Sequence, residues 1–186
     1  MNTGQTMLTI AALVLLSVIS LNYYRSMGQT GSTLASSNVG FTATTVATSF
    51  LERVQGYRFD EYSDTVAVQI PDSTKFTLPA NLGITQTEID SGEVKGDYNT
   101  YDDIDDFDKD TLLYQSEWNN ERFKVSFRVY YVNPWTDSYT EVTTSQTFLK
   151  RIDVKVKRVI ASGDTTSVEE EANMTTLHGF YFFNPI

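Results

Sequence analysis

Met7 to Leu21 reads MLTIAALVLLSVISL, and Asn22, Tyr23, Tyr24 and Arg25 follow. No charged residue lies between Thr6 and Tyr24, and before Asn22 the polar members are threonines and serines. A hydrocarbon core about 30 Å thick takes roughly 20 helical residues, each rising ~1.5 Å, so the stretch reaches across once. Thr9, Ser17 and Ser20 can return their hydroxyls to the helix's own carbonyls. Tyr23 and Tyr24 suit an interfacial aromatic belt, with Arg25 just beyond it. These features predict a retained membrane or filament helix. A secretory signal would open on basic residues and close on a small-residue cleavage site. Met1-Asn2-Thr3-Gly4 carries no Lys or Arg, and Leu21-Asn22-Tyr23 is a poor site of that kind. A buried core helix is the third reading, disfavoured because such runs near a terminus usually target or anchor.

Downstream, residues 26–40 read SMGQTGSTLASSNVG, rich in Gly, Ser and Thr and poor in helix formers. By composition this is a flexible linker. Helical periodicity then returns: Val39, Ala43, Val46, Ala47, Phe50, Leu51 and Val54 form one apolar stripe. Thr42, Thr45, Ser49, Glu52 and Arg53 lie opposite, and Gly56 supplies a stop. Such a half-helix is expected to lie stripe-inward on a sheet.

The remainder reads as strands. Thr65 to Ile70 alternates and closes at Pro71-Asp72. From Phe123 to Val132, Phe123, Val125, Phe127, Val129 and Tyr131 share one face, with Lys124, Ser126 and Arg128 opposite. Phe148 to Ile160 follows, with Ile152, Val154 and Val156 on one side and Asp153, Lys155 and Lys157 on the other. A turn at Ser162-Gly163-Asp164 and two short strands bring the chain to Phe183. Consecutive strands joined by short turns imply an antiparallel meander, so the expected fold class is α+β.

The chain has 186 residues and a net charge of -10, a field that repels nucleic acid and anionic lipid, so no nucleic-acid partner is expected. With no cysteine and a single histidine, His178, thiolate chemistry and multi-histidine metal sites are excluded. No pair of acids is framed across a cleft, so no catalytic residue is assigned and no enzyme is expected. His178 reads as a strand residue, and the Phe180–Phe183 run as core or interface. Trp118 and Trp135 suit either a core or a sugar-binding face. Asn173-Met174-Thr175 fits a glycosylation sequon, a pattern too common by chance to use.

The loop from Asp97 to Asp110 holds seven aspartates, and Asp102, Asp103, Asp105, Asp106 and Asp108 are its candidate metal ligands. Dense hard oxygens suit Ca²⁺, although the spacing lacks the glycine and closing glutamate of an EF-hand. The alternative is a solvated loop anchored by Ile104 and Phe107, with no cofactor. Clustered carboxylates repel unless a cation neutralises them, so a compact loop favours the ion.

A very short leader ending at Gly4, followed directly by an apolar helix, resembles the signal of the type IV pilin and pseudopilin family. Leu149-Lys150-Arg151-Ile152-Asp153-Val154-Lys155-Val156, Gly56-Tyr57-Arg58-Phe59-Asp60-Glu61 and Asp102-Asp103-Ile104-Asp105-Asp106-Phe107 resemble segments of PilV- or MshD-like minor pilins, in the same order. The resemblance implies cleavage by a prepilin peptidase between Gly4 and Gln5, and one long helix running through 26–40. It implies a single-pass inner-membrane precursor that becomes part of a periplasmic or extracellular filament. It also implies self or sister-subunit contacts through the helix, with Thr9, Leu13 and Leu16 as assembly positions. The family's glutamate at the fifth mature position is Thr9 here, so its pairing with a neighbour's terminal amine is missing, which points to a minor subunit. The expected organisation is a leader at 1–4, the apolar helix at 5–25, a weak segment at 26–40 and an amphipathic helix plus β-rich head at 41–186. A filament-tip adhesin and a single-span membrane protein without a filament are the alternative functions.

Overall fold

Alternation of apolar and polar residues sets the sheet, and a long proline-free segment sets the helix. The computed structural model describes residues 3–65, 72–116, 121–136, 139–159 and 171–180. The fold is α+β, with helix α1 (Thr3–Gln55) and one four-stranded antiparallel sheet. The chain divides into two units, Met1–Gly40 and Phe41–Ile186.

In the first unit, α1 continues through the Gly/Ser/Thr-rich segment without a break. Each glycine there costs the helix about 1 kcal/mol relative to alanine, but no proline removes a donor. Hydroxyls fold back onto the turn before them: Thr30 Oγ1 donates to the Ser26 carbonyl at 2.9 Å and Thr33 Oγ1 to the Gln29 carbonyl at 2.9 Å. The linker expected from composition is therefore helix. Leu8, Leu13, Leu16, Ile19 and Leu21 are all exposed, and this part of α1 is long and apolar enough to cross a membrane.

The second unit is built on strands β1 (Thr111–Gln115), β2 (Arg122–Tyr131), β3 (Leu149–Val159) and β4 (Glu171–Gly179), ordered β1-β2-β3-β4. Their register stacks inward side chains into rows. Leu112, Val125, Val156 and Ala172 form one, Phe127, Val154 and Met174 the next, then Val129, Ile152 and Thr176, and finally Tyr131, Lys150 and His178. Residues Ala43, Val46, Ala47, Phe50 and Val54 of α1 are buried against this face. Phe50 meets Tyr98, Tyr114 and Phe127 edge-on at 5.9, 6.1 and 5.8 Å. Thr48 and Gln55 bond across to Met174 and Thr176 of β4. Burying each large apolar side chain stabilises by about 1.5–3 kcal/mol, which fixes the stripe on the sheet. α1 ends at Gln55, before Gly56.

Two expected elements fall partly outside the described residues. Thr65 closes a short helix α2 (Tyr62–Thr65) and starts no strand; residues 66–71 lie outside the described residues. Near the end, where two short strands are expected, the described residues hold the strand β4; residues 160–170, including the expected turn, and 181–186 also lie outside. Trp118 lies there too, whereas Trp135 is almost wholly exposed.

Candidate functional site

The aspartate-rich loop is packed, not solvated. Asp103, Asp105, Asp106, Asp108 and Asp110 are all buried, together with Ile104 and Phe107. Buried carboxylates must find donors, and most here find backbone N–H groups. Asp103 Oδ1 accepts from the Asp105 N–H at 2.8 Å, and Asp106 Oδ2 accepts from those of Asp102 and Asp103 at 3.1 and 3.2 Å. Lys109 takes a left-handed φ of 59°, turning the chain where pairing with β2 would otherwise continue. The Asp108 carboxylate then replaces the missing strand, accepting the Val129 N–H at 3.0 Å, and Asp110 Oδ2 accepts the Tyr101 hydroxyl at 2.5 Å. Asp102 pairs with Arg58 at the surface.

The loop is held against the segment that follows α1. The Ile104 N–H donates to the Arg58 carbonyl at 3.0 Å, and Arg58 and Asp103 form a parallel bridge. That pairing sets Asp103 and Asp105 beside Asp60 and Glu61. Beneath them, Lys150 is wholly buried. Its Nζ donates to the Phe59 carbonyl at 2.7 Å, to Asp105 Oδ1 at 2.7 Å and to Asp60 Oδ2 at 3.3 Å. The rings of Phe59 and Tyr131 face the ammonium at 4.6 and 5.1 Å. Asp60 is fully engaged, since the Thr77 N–H and the Tyr131 hydroxyl also reach its Oδ2.

Two carboxylate triads result. Glu61, Asp103 and Asp105 bring one oxygen each within 4.8 Å of one another, and so do Glu88, Glu93 and Asp106. Glu88 comes from helix α3 (Gln86–Ser91), where its carboxylate caps the Thr85 N–H. Crowding and burial disfavour charge. Burial, helped by a hydrogen bond to Glu88 and the charge of Asp105, pushes Glu61 up to about 8. Burial and the charge of Asp105 push Asp103 up to about 11. Glu93 rises to about 8 through burial and the charge of Asp106. Asp106 rises only to about 6, because burial is opposed by its two backbone donors. Such an arrangement either holds protons or holds a cation.

Of the five candidate ligands, the structure thus brings only Asp103 and Asp105 into one triad. Asp106 enters the other, Asp108 braces β2, and Asp102 forms a surface pair. Spacing within the loop gave no sign of Glu61, Glu88 or Glu93. Lys150 carried a signal, because alternation on β3 puts it on the face of Ile152 and Val154.

The candidate assembly positions are all on α1. Leu13 and Leu16 are exposed, and Thr9 Oγ1 bonds back to the carbonyls of Gln5 and Thr6 at 3.0 and 2.9 Å. Ser17 does the same to Leu13 at 2.8 Å. Gly4 and Gln5 lie in the first turns, with open space around Gly4. Compared with known proteins, the chain matches no family profile, no curated protein and no solved structure.

Proposed function

We propose that the chain is a structural subunit of a type IV pilus-like filament or pseudopilus, held in the inner membrane as a precursor and assembled through α1. The observation that carries this reading is the apolar surface of α1. Leu13, Val14, Leu15 and Leu16 are consecutive and all exposed, so at 100° per residue the apolar surface runs right round the helix. A helix apolar on every side needs lipid or other helices around it. Lipid supplies the first cover, and sister helices replace it on assembly. The gain on leaving lipid comes from close packing and matched polar groups, because lipid tails are already apolar. The order of pilin-like segments along the chain supports the same reading, and the short leader ending at Gly4 implies a prepilin peptidase cut between Gly4 and Gln5.

The test is the intact mass of the protein in material sheared from cells and in the membrane fraction, with negative-stain microscopy of the sheared material. A chain starting at Gln5 within filaments is the expected result. A chain that keeps Met1 and forms no polymer would leave a single-span membrane protein.

A further inference from the structure

We propose that the β-rich unit binds one Ca²⁺ ion at Glu61, Asp103 and Asp105. The inference stands apart from filament assembly and rests on three observations.

The first is reach. Calcium–oxygen bonds are about 2.4 Å long, so two ligands of one ion lie at most about 4.8 Å apart. One oxygen from each of these three carboxylates meets that limit against both others.

The second is an unmet acceptor. Asp103 is wholly buried, and its Oδ1 is taken by the Asp105 N–H, but Oδ2 has no hydrogen-bond partner. Asp60 is served by Thr77, Tyr131 and Lys150, Asp106 by two N–H groups and Asp108 by Val129. Glu93 Oε2 in the other triad also lacks a partner, but Glu93 is only partly buried whereas Asp103 is wholly so. An orphaned buried carboxylate oxygen costs more than a lost neutral hydrogen bond, and a cation removes that cost.

The third is access and charge. Lys150 supplies one positive charge that Asp105 shares with Asp60, so the cluster keeps a negative excess that a divalent ion offsets. Glu61 is only partly buried, which leaves a side for entry and for ligand waters. Mg²⁺ demands octahedral oxygens at about 2.0–2.1 Å and gives up its waters reluctantly, so Ca²⁺ is the better match to flexible carboxylates from two segments.

The experiment uses the full chain in detergent micelles, followed by near-UV circular dichroism during heating and by ⁴⁵Ca²⁺ equilibrium dialysis. With Ca²⁺ at about 1 mM against chelator, the melting temperature should rise, Mg²⁺ should raise it less, and one ion should bind per chain. Asp103→Asn should weaken binding at least about tenfold while its spectrum stays native, since it removes charge from a crowded site and keeps the Oδ1 acceptor. Glu93→Gln, which alters only the other triad, should bind like the unaltered protein. Absence of both a thermal response and bound Ca²⁺ in the unaltered chain would overturn the proposal. So would full binding by Asp103→Asn, or a loss seen in Glu93→Gln instead, which would put the ion on the other triad.

Discussion

Lys150 Nζ lies 2.7 Å from Asp105 Oδ1, and both residues are buried. This contact ties the acidic loop to the start of β3, and it joins Asp60 to the same ammonium at 3.3 Å. Removing one partner of a buried pair leaves uncompensated charge and costs about 3–5 kcal/mol. Lys150→Met, which keeps most of the volume, should therefore destabilise the unit by about that amount in chemical denaturation of the full chain in micelles. Adding Asp105→Asn should restore part of the loss, because the two sites are coupled. A Lys150→Met chain within about 0.5 kcal/mol of the original would show that the pair does not hold the loop.

Gly83 adopts a φ of +95°, and a Cβ there would sit 2.8 Å from the Asp108 carbonyl oxygen. The Asp108 carboxylate braces Val129, so the displaced backbone carries the side chain that substitutes for a strand. Gly83→Ala should cost about 1–3 kcal/mol from backbone strain and more from the clash. It should also speed hydrogen exchange at the Val129 amide more than at Val154. Equal exchange at both amides would mean that the loop shifts without losing its bond to β2.

His178 stacks on Phe59, with ring centroids 6.1 Å apart and planes 20° from parallel. Burial, then the charge of Lys150, hold its pKa below the ordinary 6.5. The unfolded chain therefore takes up a proton just below that pH while the folded chain resists it. This contribution to stability is whole above about 6.5 and is lost as pH falls towards the folded value. His178→Gln should flatten that part of the decline. As the chain has one histidine, its ring protons can be followed directly by NMR. A midpoint at or above 6.5 would contradict the burial argument.

Much of this architecture was legible in the sequence because it rests on periodicity. Ala43, Val46, Ala47, Phe50 and Val54 of the stripe and the alternating residues of β2 are buried as their spacing says, while Leu51 stays half-buried. The acidic loop was harder, since aspartates are ordinarily exposed and density alone reads as solvation. What composition hides is the supply of N–H donors from Asp102, Asp103, Asp105 and Val129, which lets these side chains go inside. The triads were beyond reach for a different reason. Glu61 and Asp103 are brought together by a bridge between Arg58 and Asp103, a long-range pairing with no local signature. The Gly/Ser/Thr segment misled by propensity, which weighs glycine but not the hydroxyls that return to the helix.

The central proposal is that α1 joins neighbouring subunits into a polymer, and the chain's lack of cysteine makes it directly testable. Leu8→Cys and Leu16→Cys together place two thiols on exposed positions of α1, roughly 12 Å apart along its axis. Whole cells would be treated with a membrane-permeant bis-maleimide, and the products separated under denaturing conditions. Assembly through α1 predicts a ladder that extends well beyond the dimer, because each chain is linked to more than one neighbour. Monomer alone, with both thiols fully labelled, would contradict it.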